Sequence, residues 1–195
     1  MNSRRDFLKV FGVSAVSLAC GTSHRPAGRQ PRPQVCTATE DNIEGPFFTA
    51  GAPERLVLVR SDDAGERLAM SGSVRGDDCA ILAGAIIEVW QADAKGNYDN
   101  DGYHFRGKLR TDRDGTWNLA TIVPGRYLNG STYRPAHIHI KIAQAGYQPL
   151  TTQLYFPDDP FNAADPFIKP SLVMPIVQSK AGKRGSFDFV LTRAK

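Results

Sequence analysis

The segment Arg134-Pro135-Ala136-His137-Ile138-His139-Ile140-Lys141-Ile142 constrains the fold more than any other part of the chain. In an extended backbone successive side chains point to opposite faces, so Ile138, Ile140 and Ile142 share one face and His137, His139 and Lys141 the other. Three isoleucines on one face predict a core-facing strand. Other short apolar stretches follow the same pattern: Leu56 to Val59, Leu68 to Val74, Ala83 to Gln91, Thr116 to Ile122, Thr151 to Phe156 and Ser186 to Thr192, separated by Gly, Asp, Asn and Pro clusters. None sustains the three-and-four spacing of an amphipathic helix over three turns. The 18 glycines and 13 prolines also suit strands and turns better than helices. The chain reads as all-β, an antiparallel β-sandwich of about seven or eight strands with long functional loops. It shows no internal repeat and no second domain.

With 195 residues, 41% of them hydrophobic, the chain can bury a core of ordinary size. Residues 1–20 stand apart from it. Ser3-Arg4-Arg5-Asp6-Phe7-Leu8-Lys9 precedes an apolar run, Val10 to Ala19, that is too short to span a bilayer as a helix. This resembles a twin-arginine export signal, which implies a periplasmic or otherwise extracytoplasmic protein. Ala19-Cys20 is similar to a lipoprotein box, but Ser17 stands where an aliphatic residue is usual. Lipidation of Cys20 and cleavage by the ordinary signal peptidase both remain open, and a lipid on Cys20 is the one membrane attachment the sequence suggests. Removing Arg4, Arg5, Asp6 and Lys9 takes 24 basic and 20 acidic residues to 21 and 19, a net charge of +2. That leaves no strong nucleic-acid footprint. Residues 21–34, with three prolines and three arginines, read as a flexible linker, and residues 35–195 as the folded domain.

Export also bears on the cysteines. Outside the cytoplasm thiols oxidise, and with Cys20 beside the signal, Cys36 and Cys79 are the natural disulfide pair; two independent buried thiols are the other reading. A bridge would close a loop of 43 positions, worth about 4 kcal/mol by loss of unfolded-chain entropy.

Of four histidines, one lies in the linker, and two of the remaining three form the alternating pair His137 and His139. Neighbouring imidazoles on one strand face can reach a single metal ion, although the same pattern also occurs on an ordinary polar face. Cysteines and acids fall at no convincing spacing nearby. Tyr98, after Gly96-Asn97, and Tyr127, after Pro124-Gly125-Arg126, each lie where the chain leaves a strand for a loop, a frequent setting for functional residues. Taken singly, each reads first as a half-buried aromatic with a solvated hydroxyl rather than a ligand.

Six motifs occur in register: Glu44-Gly45-Pro46-Phe47; Gly84-Ala85 with Glu88-Val89-Trp90-Gln91-Ala92-Asp93 and Gly96-x-Tyr98; Arg106-Gly107 with Thr111-Asp112 and Gly115; Pro124-Gly125-x-Tyr127; Arg134-Pro135-Ala136-His137-Ile138-His139; and Leu150 to Phe156. From about Cys36 to Asp165 the chain resembles the intradiol ring-cleavage dioxygenases, and within them the protocatechuate 3,4-dioxygenase branch. The resemblance implies a β-sandwich enzyme with one non-haem Fe(III) per chain. It would use O2 to open a catechol-type ring between the hydroxyl-bearing carbons, giving a cis,cis-muconate-type dicarboxylate. Tyr98, Tyr127, His137 and His139 match the iron ligands, with Tyr127 and His139 axial. Arg134 matches an arginine beside the substrate and Gln153 a nearby glutamine; with Tyr127 these form the expected catalytic set. Phe48 departs from the tyrosine common after this Glu-Gly-Pro-Phe run. The helical N-terminal dimerisation segment of catechol 1,2-dioxygenases has no counterpart in these motifs, so homo-oligomerisation stays open.

The donor set suits a hard trivalent ion, because two phenolates and a hydroxide bring Fe(III) to neutrality. Two other readings stand beside this one. One is an exported copper-binding protein or oxidase, and the other a non-catalytic β-sandwich binding module.

Overall fold

A computed structural model of the chain describes residues 35–195; the segments expected to be an export signal and a linker, with Cys20, lie outside the described residues. The described residues carry eleven strands: β1 (Arg67–Gly76), β2 (Ile86–Gln91), β3 (Arg106–Arg110), β4 (Thr116–Ile122), β5 (Tyr127–Asn129), β6 (Thr132–Arg134), β7 (His137–Ala143), β8 (Leu150–Tyr155), β9 (Ile176–Ser179), β10 (Gly182–Ser186) and β11 (Phe189–Leu191). In one sheet β1 pairs with β4 along one edge and with β10 and β11 along the other, and β9 pairs with β10. The second sheet runs β3-β2-β7-β8, antiparallel throughout. Strands β5 and β6 form a separate hairpin.

The two sheets close on one core. Leu68, Met70, Val74, Trp117, Leu119, Phe189 and Leu191 from the first meet Ile87, Val89, Leu109, Ile138, Ile140, Ile142 and Leu154 from the second. Alternation sets this directly in β4, where Trp117 and Leu119 are buried between exposed Thr116 and Asn118. The turn that carries the chain from β3 in one sheet to β4 in the other is built by Asp112. Its carboxylate accepts from the backbone N–H groups of Asp114 and Thr116 and from the Thr116 hydroxyl. The Thr111-Asp112 motif is thus a turn-forming device.

Three details depart from the expected strand pattern. Residues 56–59 form no strand; Val57 makes a single bridge to Ala120, and Arg55 and Leu58 donate to Lys108 and Ala120 carbonyls. The stretch from Ser186 to Thr192 divides, because the backbone leaves the ladder at Phe187, whose N–H goes to the Ser71 carbonyl. The pairings of β1 with β10 and β11 are parallel. Strand β3 escaped notice because Arg106-Gly107-Lys108 carries no apolar alternation; its register comes from pairing with β2.

Cys36 is bonded to Cys79, and the Cys36 N–H donates to the Asp77 carbonyl. The bridge ties the start of the domain to the loop after β1. Replacing both cysteines with serine is expected to lower unfolding free energy by about 4 kcal/mol, read from denaturant titration of oxidised wild type and the double variant. Free alkylation of both thiols in the unreduced, mature protein would refute the bridge.

Candidate metal centre

The histidine face of β7 is not a solvent face. Cross-strand register sets Trp90 and Gln153 on either side of His139, and Tyr155 beside His137. These side chains form the outer surface of the second sheet, and the segment from Cys36 to Phe48 covers it. Phe48 packs edge-on against Trp90, Lys141 pairs with Glu44, and the Lys141 ammonium lies 4.2 Å from the Phe48 ring centre. His139 stacks on Trp90 at 4.8 Å with the rings 8° from parallel.

The two tyrosines arrive from loops locked together backbone to backbone. The Asp93 carbonyl accepts from both Gly96 N–H and Gly125 N–H, and its carboxylate accepts from the Lys95 and Asn97 N–H groups. A Cβ at Gly96 would sit 2.2 Å from the Arg126 carbonyl oxygen, and one at Gly125 would sit 2.4 Å from the Gly96 nitrogen. Only glycine permits this approach. It brings Tyr98 and Tyr127 to 5.7 Å between ring centres. Arg106, buried behind them, donates to the carbonyls of Asp99 and Phe47, and Phe47 stacks on Tyr98 at 4.2 Å.

Four rings therefore converge. Centroid separations are 4.9 Å for His137 to His139, 5.5 Å for Tyr127 to His137 and 6.1 Å for Tyr98 to His139. His137 Nδ1 lies 2.7 Å from the Pro135 carbonyl oxygen, so it carries the proton and leaves the Nε2 lone pair free. His137 Nε2, both ring nitrogens of His139 and the Tyr98 hydroxyl are buried with no hydrogen-bond partner. Orphaned polar atoms gathered at one point are costly unless an external group satisfies them.

Burial, reinforced by the Arg134 charge, pushes His137 down to about 3, and burial followed by the His137 and Arg134 charges holds His139 well below the ordinary imidazole range. Both imidazoles are therefore neutral lone-pair donors near neutral pH. Burial pushes both phenols up, most strongly Tyr98, where the neighbouring Tyr127 adds to the effect. Only a strong cation would draw off those protons. Among the described residues no cluster of three or more His, Cys, Asp or Glu could hold a metal, and the side-chain oxygens beside the two imidazoles are the phenols of Tyr98 and Tyr127. Two neutral imidazoles and two phenols fit a ferric ion.

Arg134, at the end of β6, lies 4.8 Å from the Phe167 ring centre. Its Nη2 donates to Gln153 Oε1 (2.8 Å), Tyr155 Oη (3.2 Å) and Asp165 Oδ2 (3.1 Å), while Nε lies 3.0 Å from Asp165 Oδ1. The arginine and aspartate side chains are only 5% and 0% exposed. Gln153 is fixed from both ends, because its Nε2 donates to the Ile43 carbonyl and its Oε1 also accepts from Tyr155. A cleft of about 510 Å³ opens beside both tyrosines, bordered by Phe47, Arg126, Leu128 and Tyr133. A second, of about 530 Å³ between Pro124, Phe156 and Lys183, contains none of the four rings.

All the residues singled out from sequence, namely Tyr98, Tyr127, Arg134, His137, His139 and Gln153, gather at this one place. Sequence reasoning gave no role to Trp90 or Tyr155, although both lie in the motifs, and missed Asp165. Alternation in β8 does carry a signal for Tyr155, which shares a face with Gln153, whereas Asp165 comes from a loop with no periodicity.

Residues 43–193 match the family model described as Dioxygenase. The chlorocatechol 1,2-dioxygenase of Rhodococcus opacus is 34% identical over 185 residues, covering 78% of this chain and 72% of the relative. The solved dioxygenase domain of a dioxygenase–carbohydrate-binding protein fusion from Streptomyces sp. SirexAA-E superposes with a TM-score of 0.76 at 44% identity, covering 81% of this chain and all of the other. The 3-chlorocatechol 1,2-dioxygenase from Rhodococcus opacus 1CP gives a TM-score of 0.76 at 35% identity, covering 80% and 73%. With the family model spanning most of the folded domain and relatives alike in both sequence and backbone, the chain belongs to the intradiol dioxygenase family of ring-cleaving oxidoreductases.

Proposed function

We propose that Tyr98, Tyr127, His137 and His139 hold one non-haem Fe(III) and that a catechol-type substrate is opened there by O2 between its hydroxyl-bearing carbons. The observation that carries this reading is the convergence of four rings, three of which, Tyr98, His137 and His139, hold buried donor atoms without partners. A bound ferric ion would supply Lewis acidity and the positive charge needed to ionise the phenols and the catechol.

The chain's own groups supply the rest. Trp90 and the Pro135 carbonyl orient the two imidazoles. Tyr98 is the more deeply buried phenol, held by Phe47. Tyr127 is half-buried at the cleft and, once ionised by a bound ferric ion, its phenolate Oη would be placed to take a catechol hydroxyl proton. Arg134, held by Asp165 and Gln153, places a fixed positive charge where negative charge develops on the ring. The sandwich behind and the 36–48 segment in front keep water from the donors. The twin-arginine-like signal supports export, and the Cys36–Cys79 bridge suits an oxidising compartment.

Iron-loaded protein is expected to show a broad visible phenolate-to-iron band that changes in both Tyr98→Phe and Tyr127→Phe. With isotopic O2, mass spectrometry should find a ring-opened dicarboxylate carrying label. An unaltered band in both variants removes the tyrosines from the metal. Copper in place of iron on metal analysis favours the copper reading, and a semialdehyde product means cleavage beside the hydroxyls.

A further inference from the structure

The centre is made of two halves. Tyr98 lies in the loop after β2 and Tyr127 opens β5, and their segments are fastened to each other through Asp93, Gly96 and Gly125. His137 and His139 belong to β7, fastened to β2 and β8. Between the halves runs the β5–β6 hairpin, which pairs only with itself. Arg134 ties the β6 arm to Gln153 and Tyr155 of β8, but none of those bonds reaches the backbone that carries Tyr127, and continuity through the hairpin alone is a weak way to fix one ring against another.

One carboxylate joins its two ends. Asp159 Oδ2 accepts from Arg126 Nε at 2.8 Å and from the Ala136 backbone N–H at 3.1 Å; Oδ1 accepts from the Phe161 N–H at 3.0 Å. Arg126 immediately precedes Tyr127, and Ala136 immediately precedes His137. The Asp159 side chain is 2% exposed, whereas that of Arg126 is 46% exposed, so the anchor is the buried partner. An ionised carboxylate accepting three donors is a firm clamp, because each bond to a charged group exceeds a neutral one.

We propose that Asp159 is a positioning residue that sets Tyr127 against His137, and so sets the strength and geometry with which this chain holds its metal. It touches neither ring and acts through Arg126 and Ala136. This rests on the ferric reading of the four rings. Residues that orient metal ligands without binding the metal characteristically change affinity by 10- to 100-fold when replaced.

The test uses full-length mature protein loaded with Fe(III), comparing wild type, Asp159→Asn and Arg126→Met. Asp159→Asn keeps the side-chain volume but removes the charge and one accepting oxygen. Arg126→Met breaks the link to the tyrosine side, together with the guanidinium's contact on the Phe161 ring, leaving Asp159 bound to the Ala136 and Phe161 N–H groups. Iron affinity by competition with a chelator, the visible band maximum and the ferric electron paramagnetic resonance line shape are recorded, with circular dichroism to confirm folding. Asp159→Asn is expected to weaken iron binding about 10-fold or more and to move the band maximum. Arg126→Met should move the band in the same direction by less. If Asp159→Asn does not fold, Arg126→Met decides alone through its band and line shape. Unchanged affinity, band and line shape in a folded variant would show that Asp159 braces the loop and nothing more. A wild-type protein with no tyrosinate band overturns the ferric reading itself, which separates the two failures.

Discussion

Arg134→Leu is expected to cost roughly 3–5 kcal/mol of folding stability and to lower turnover by about 100-fold, two losses with different origins. The stability loss belongs to Asp165. Its fully buried carboxylate keeps only neutral neighbours once the guanidinium is gone, and a buried charge without its partner is strongly destabilising. The activity loss belongs to the substrate, which no longer meets a fixed positive charge. Arg134→Leu combined with Asp165→Leu separates them. Denaturant titration should find the double variant close to wild type, since an apolar pair often replaces a buried ion pair at no cost. Steady-state assay should find it as inactive as the single variant. Recovery of turnover in the double variant would mean that Arg134 acts only as the counter-ion of Asp165.

His139→Ala and His137→Ala should each leave a folded protein with no stoichiometric iron and no visible band, checked by metal analysis after dialysis. His139 is the more informative position. Both its nitrogens are buried with no hydrogen-bond partner in the protein, so removing it takes away packing against Trp90 and a metal donor but no protein hydrogen bond.

How much of this was legible in the sequence depends on distance along the chain. The strand His137–Ala143 was readable, because period-two alternation is a local property of the backbone. Tyr98 and Tyr127 carried no role until their motifs were taken together, since what juxtaposes them is the contact of Gly96 with Gly125, a tertiary fact. Arg134 could be read as beside the site but not as buried, because its counter-ion is 31 residues away in a loop without pattern. The histidine face reads as polar, yet it is covered. Alternation tells which side chains share a face, and only the path of the 36–48 segment tells what lies over that face. Strand β3 and residues 56–59 went astray for complementary reasons. One is polar and held by its neighbour β2, and the other is apolar but makes only an isolated bridge.

The fastening of the 36–48 segment has a consequence for the order of assembly. The disulfide secures its outer end, while its inner end is held independently: Asn42 N–H on the Thr151 carbonyl, Gln153 on the Ile43 carbonyl, Glu44 on Lys141, and Phe47 on Tyr98. None of these inner contacts involves sulfur. Closure over the four rings therefore does not require the bridge: a chain with both thiols still reduced is expected to close there, with oxidation following as a lock on the outer end.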